Sequence, residues 1–187
     1  MKTIGYSFTG SYCTFEKSLS VMKKLSEIYN IIPIVSEKIL STDTRFYKSE
    51  EFKTEIEKIT KNKIIHTINE AEPIGPKKLL DLLVISPCTG NTLAKLTQGI
   101  TDSSVTMAYK AHMRNNRPVL IGISTNDALS TNAKNIGILL NRKNVYFIPF
   151  GQDDPLKKPF SMISDFNLTE KAITYCFENQ QMQPLII

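Results

Sequence analysis

The 187-residue sequence is poor in the groups that would announce a metal centre, a membrane anchor or a nucleotide loop. Its three cysteines, Cys13, Cys88 and Cys176, lie far apart. An odd, scattered set without a C-x-x-C pair provides neither a disulfide framework nor a zinc-ligand spacing, so reduced thiols are expected. Histidine occurs only at His66 and His112, and no metal site is expected. No apolar run approaches the roughly 18 residues of a membrane helix. The start, Met1-Lys2-Thr3-Ile4-Gly5, turns polar too soon for a secretory segment, so a cytoplasmic protein is expected. Basic runs are missing as well. The net charge of +5 comes from Lys and Arg mixed with Glu along helical stretches. That pattern argues against nucleic acid and suits an acidic small molecule. Gly5 to Gly10 has the spacing G-x-x-x-x-G but lacks the Lys-Ser/Thr of a Walker loop, and it does not read G-x-G-x-x-G. ATP hydrolysis and ordinary NAD binding by this chain are therefore weak readings.

What is present is an alternation of short apolar runs with amphipathic stretches. Strands are predicted at Lys2–Phe8, Ile31–Val35, Ile64–Ile68, Leu82–Ser86, Pro118–Ile123 and Asn144–Ile148. Helices are predicted at Phe15–Tyr29, Ser49–Ile59, Asn91–Gln98, Ser104–Met113, Ala128–Leu140 and Thr169–Phe177, with a polar loop over 151–161. Ser49 is expected to cap the second helix. The order implies βαβ units in a doubly wound, Rossmann-like parallel sheet with helices on both faces, in one domain over 1–187.

Ligands of such sheets bind beyond the carboxyl ends of the strands. Four predicted strand ends carry small polar residues: Ser7 to Ser11, Ser36, Ser86 to Asn91, and Ser124 to Asp127. Small hydroxyl residues and glycine let backbone N–H groups approach an anion, and a following helix N-terminus adds its dipole. One such loop is as well explained by helix capping; four at one edge point to a pocket for a small anionic ligand. Cys88 falls in the third loop, where a small apolar filler is the simpler role than a reactive thiol. Asp127 reads as an N-cap or a ligand contact.

Thr9-Gly10-Ser11 and the block from Ser86 to Lys95, with Gly99 and Asp102, resemble the flavoprotein fold of the FMN-binding cysteine decarboxylases. Within that superfamily the chain looks most like the family of dipicolinate synthase B subunits. The blocks Thr42–Phe46, Ala71–Pro76, Arg114–Pro118, Gly122–Asp127, Phe147–Pro155 and the tail Gln183–Ile187 carry this likeness. The resemblance implies an FMN site. Thr9, Gly10 and Ser11 would approach the flavin phosphate together with Ser36 and Thr89. Ser86, Gly90, Asn91, Thr125 and Asn126 would complete the cofactor-binding set, with Asn91 capping its helix or meeting the isoalloxazine edge. Asn126 and Arg45 are the catalytic candidates, Arg45 because a guanidinium binds carboxylate in a bidentate way. Arg114 and Arg117 rank below it.

The resemblance further implies an A subunit carrying NAD(P). With it, the chain would make dipicolinate by oxidation and dehydration of a lysine-pathway intermediate, in the mother cell of a spore-former. Relatives form trimers or multiples of trimers, so a homo-oligomer is expected. The alternative is a non-catalytic assembly or substrate-binding subunit with a vestigial flavin site. Decarboxylation is the least expected activity. Decarboxylases of the superfamily carry a histidine shortly before the strand at Leu82–Ser86, and Pro73–Asp81 has none. His66 lies farther back, in a predicted strand, where a structural role is expected. The superfamily's Pro-x-Met-Asn element survives only as Ser124-Thr125-Asn126.

Overall fold

A computed structural model describes residues 1–44 and 48–187. Its centre is β3 (Leu82–Cys88), whose residues are all buried. This is the run LLVISPC, apolar on both faces, as a strand covered on both sides by helices must be. β1 (Thr3–Phe8) pairs with it in parallel on one side, and β2 (Asn30–Val35) lies outside β1. On the other side come β4 (Val119–Thr125) and then β5 (Val145–Phe147), both parallel. The parallel order is thus 2-1-3-4-5, which reverses direction between β1 and β3. The carboxyl end of β4 carries an antiparallel addition, β7 (Met162–Ser164), followed by β6 (Phe150–Gly151). Ile186 of the tail bridges to Phe150 at that edge.

Alternate residues of the strands feed two cores. Leu83, Ile85, Ile121 and Ile123 meet Leu93 and Leu96 of α5 (Gly90–Gln98), Val105 and Ala108 of α6 (Ser104–Met113), and Ile136 and Leu139 of α7 (Ala133–Leu140). Ala71 of the short α4 (Ile68–Ala71) joins the same core. Leu82, Val84, Ile4, Tyr6 and Phe8 face the other way. They meet Phe15, Met22 and Leu25 of α1 (Phe15–Ser26), Phe52 and Ile56 of α3 (Ser49–Thr60), and Ala172 and Ile173 of α8 (Thr169–Phe177). A one-turn helix, α2 (Glu37–Leu40), follows β2. α1 is also pinned to the sheet by polar contacts. Ser18 Oγ donates to the carbonyl of Ser86 at 2.7 Å and lies 2.9 Å from the Tyr6 hydroxyl, whose pKa burial pushes up to about 12.

Three expectations need correction. Ile64–Ile68 is not a strand: only Ile65 bridges to β2, and Ile68 begins α4. Pro33 of β2 has no N–H to extend the ladder backwards. Forwards, the Val35 carbonyl accepts from Ser104 Oγ, while the Thr67 N–H turns to Glu70 in a capping box. The helix expected from Ala128 starts at Ala133, with Asn132 at its N-cap position, so Asp127 is not a helix cap. Ser49 is the first residue of α3 rather than its cap. Its N–H and hydroxyl both bond Asp43 Oδ1 at 2.9 Å, and those bonds hold the Asp43 carboxyl below its usual range.

His112, on the last turn of α6, is fully buried; its Nε2 lies 2.9 Å from the Pro118 carbonyl, and Nδ1 has no partner among the described residues. Burial, the larger effect, lowers its pKa to about 4. The unfolded chain, with an ordinary histidine near 6.5, takes the proton first, so stability is full above pH 6.5 and falls as pH drops toward 4. We expect a loss on the order of 3 kcal/mol across that window, measured by urea unfolding. A His112→Gln chain should lack this component, whatever its own stability.

Candidate functional site

The reversal of strand order between β1 and β3 separates the connections that leave their carboxyl ends, and a cleft of about 760 Å³ opens there. Thr9 and Gly10 follow β1, Ser36 follows β2, and Thr89 and Asn91 follow β3; all five line this one cleft. Its far wall is the start of α6, from Ser103 to Thr106.

The edge between β1 and β3 is closed by Thr9. This side chain is 4% exposed. Its hydroxyl donates to the Pro87 carbonyl at 2.8 Å and accepts from the Thr89 N–H at 3.0 Å. Its own N–H reaches the same Pro87 carbonyl at 3.3 Å. The hydroxyl of Thr9 is therefore spent on the frame, and what it offers a ligand is the placement of the Gly10 backbone.

Two helix N-termini face the cleft. Thr89 caps α5, its hydroxyl accepting from the Thr92 N–H at 3.2 Å. Ser103 caps α6 in a reciprocal box with Thr106, and Ser104 Oγ ties that helix start to the Val35 carbonyl at 2.8 Å. Both ends present the positive pole of the helix dipole, which favours an anion. Asn91 lies in the first turn of α5 instead of at its cap.

Among the charged groups, Lys95 and Asp102 pair through both carboxylate oxygens, at 2.7 and 2.9 Å. Lys38 and Glu37 stand at the rim. His66 lines the cleft as well, which the strand-like composition of its segment conceals. Its Nδ1 is 3.1 Å from Glu70 Oε2, and its backbone N–H donates to the same oxygen at 2.9 Å. That backbone bond is the leading cause holding the Glu70 carboxyl below its usual value. With Nδ1 turned to Glu70, Nε2 is the ring nitrogen that remains to meet a ligand. The signal available in the sequence is Thr67-x-x-Glu70, a capping-box spacing whose N-cap is the residue after His66.

The remaining expected residues that the structure describes do not line this cleft. Ser11 Oγ lies 2.7 Å from Ser124 Oγ, joining the first and fourth loops. Ser86 is fully buried in β3, its hydroxyl without a partner among the described residues. Thr125 Oγ1 donates to Asp127, and the exposed Asn126 accepts from Ser161 Oγ at 3.4 Å. Gly90 is packed under this fourth loop: a Cβ there would stand 2.5 Å from Asp127 Oδ1 and 2.7 Å from Thr125 Oγ1. Arg45 lies outside the described residues. Arg117 donates to the Leu80 carbonyl and sits 3.7 Å from Asp81, on the amino side of β3. Cys88 is fully buried and burial pushes its thiol up, as a filler's would be. Among the described residues no cluster of His, Cys, Asp and Glu fits a metal ion, and no helix is long and apolar enough to cross a membrane. A second cleft, of about 730 Å³ between α1 and the β6–β7 edge, contains none of the expected residues.

The family model described as Flavoprotein matches residues 1–169. The dipicolinate synthase B subunit of Bacillus subtilis strain 168 is 46% identical over 190 residues, covering 100% of this chain and 94% of that one. The chain belongs to the Flavoprotein family, among the dipicolinate synthase B subunits. The crystal structure of the dipicolinate synthase B subunit from Bacillus halodurans C agrees: TM-score 0.92, 43% identity, 100% of this chain and 96% of that chain. A dodecameric FMN-dependent Ubix-like decarboxylase from Escherichia coli O157:H7 shares the flavoprotein fold at TM-score 0.59 and 18% identity, over 79% of each chain.

For this flavoprotein the join at Thr9 is directly testable. Thr9→Val removes the hydroxyl and leaves the Thr89 N–H unpaired; we expect a loss of about 1–3 kcal/mol in urea unfolding. Thr9→Ser keeps the hydroxyl and should lose less. Equal losses in the two variants would assign the effect to the methyl packing instead.

Proposed function

We propose that the chain is the B subunit of a dipicolinate synthase, acting with an A subunit that carries NAD(P). In this reading the pair oxidises and dehydrates a lysine-pathway dihydrodipicolinate-type intermediate to pyridine-2,6-dicarboxylate, in the mother-cell cytoplasm during sporulation. It assembles with its own copies as a trimer or a multiple of trimers. The observation that carries the reading is a cleft of mononucleotide size at the strand-order reversal, flanked by two capped helix N-termini, in a chain of this family.

The donor set fits FMN. Backbone N–H groups at the starts of α5 and α6 and that of Gly10 itself, with the Ser36 hydroxyl and the Lys38 ammonium, supply what a phosphate dianion needs, and the cleft volume admits the rest of a mononucleotide. Bound FMN would supply a redox group able to accept a hydride from the substrate. The chain's own part is otherwise electrostatic and proton-handling. Lys95 is neutralised by Asp102, so it supports the wall instead of drawing in the substrate. The Glu70-held His66 takes or returns the proton that oxidation and dehydration move at the cleft rim. Cysteine-type decarboxylation is not proposed, since Pro73–Asp81 lacks the family histidine and Ser124-Thr125-Asn126 replaces the Pro-x-Met-Asn element.

The test is reconstitution: this chain, an A subunit, FMN, NAD(P) and the dihydrodipicolinate-type substrate, with the pyridine product followed by ultraviolet absorbance. Product formation should require this chain. His66→Gln should lower kcat about a hundredfold or more, within the range for loss of a general acid–base group, while capture of the A subunit is unchanged. An equal rate without this chain contradicts the reading. An unimpaired His66→Gln complex removes the proton-handling role and leaves binding or assembly as the chain's share.

A further inference from the structure

The two helix N-termini at the cleft belong to consecutive helices, and Lys95 holds both ends of the turn between them. Its carbonyl accepts the N–H groups of Gly99 and Ile100, the latter at 3.0 Å. That ends α5 and bends the chain, with Gly99 in the left-handed conformation (φ +71°) that favours glycine. The Lys95 ammonium takes the far end of the same turn, bonding both carboxylate oxygens of Asp102 at 2.7 and 2.9 Å. The next residue, Ser103, is the cap of α6. Lys95, Asp102 and Ser103 all line the cleft.

The start of α6 is thus moored on two sides. The Ser104 hydroxyl, in a buried residue, ties it to the Val35 carbonyl at the end of β2, and the ion pair ties the residue before its cap to α5. The side chain of Lys95 is 26% exposed and that of Asp102 53%. A pair in that setting adds little to overall stability. Being paired, Lys95 also brings little net charge to the cleft wall. What the pair does supply is a fixed place for the α6 N-terminus beside that of α5.

We propose that Lys95 and Asp102 are positioning residues whose pairing sets the cleft's preference for a flavin that carries a phosphate. The pair keeps the N–H groups at the start of α6 on the cleft that the start of α5 faces, so two helix dipoles act on one dianion. This role rests on the flavin reading, in which the dianion is the FMN phosphate. It also carries a sign that charge alone would reverse: taking the acidic partner off the wall weakens anion binding instead of strengthening it.

The experiment titrates the full chain with FMN and with riboflavin, which lacks the phosphate, following flavin fluorescence at fixed ionic strength. The wild-type chain should favour FMN. The double variant Lys95→Met/Asp102→Asn removes the pair without changing the net charge. It should weaken FMN binding about fivefold, the most that an exposed ion pair accounts for, and riboflavin binding less than about twofold. Asp102→Asn alone should weaken FMN binding too, although it adds positive charge to the wall. Lys95→Arg, whose guanidinium meets both carboxylate oxygens, should keep the wild-type ratio. Melting temperatures should stay within a few degrees of wild type. Tighter or unchanged FMN binding in Asp102→Asn overturns the inference. So does an equal loss of FMN and riboflavin binding in the double variant, which would make the pair a general support of the wall. A wild-type chain that binds neither flavin contradicts the cofactor reading itself, and this inference with it.

Discussion

The two-way hydrogen bond of Thr9 holds together the edge of the sheet at which the cleft opens. Where strand order reverses, connections from neighbouring strands diverge, and nothing in the ladder itself keeps their first residues in register. A buried hydroxyl that donates to Pro87 and accepts from Thr89 solves this with one side chain. It also places the capping residue of α5, because Thr89 is both its partner and the N-cap. The start of α5, the Gly10 backbone and the end of β2 then converge without any charged residue having to bridge them.

The polarity of the edge follows from that frame. Two helix N-termini supply a positive field whose sources are backbone groups, fixed before any ligand arrives. Of the side-chain charges, Lys95 is paired with Asp102, and Glu70 is held as a carboxylate chiefly by the His66 backbone N–H. Such an edge suits an anion through dipoles fixed in the backbone, with the His66 imidazole on the same cleft wall. Gly90 has a different task. It lets the loop after β4 close on α5, so the two halves of the edge meet through Asp127 instead of through open space.

The sheet is legible in the sequence because its strands are apolar on both faces. Leu82 to Ser86 can hardly be anything other than a buried strand, and the alternation with amphipathic helices specifies parallel winding. Thr9, Gly10, Ser36, Thr89 and Asn91 are legible as cleft residues since each follows a strand end. What cannot be read depends on competition between long-range bonds. Ile64–Ile68 has strand-like composition, yet Pro33 and the Ser104 hydroxyl limit its pairing to one bridge, and that hides His66 from view. Ala128 to Asn132 has helix-like composition, but Asp127 takes the bonds that would begin a helix there. Thr125 and Asn126 come at a strand end just as Thr9 does; the short β6–β7 addition and Ser161 draw them to the other side of α5. The family likeness supplies what neither composition nor periodicity contains, namely the flavin and the partner subunit.

The central claim is that this edge is a working flavin site, and the most direct measurement is the visible absorbance of the purified chain after loading with FMN and removal of the excess. The expected result is a retained flavin band near one equivalent per chain. A folded chain that retains no flavin, alone and with the A subunit present, would contradict the claim.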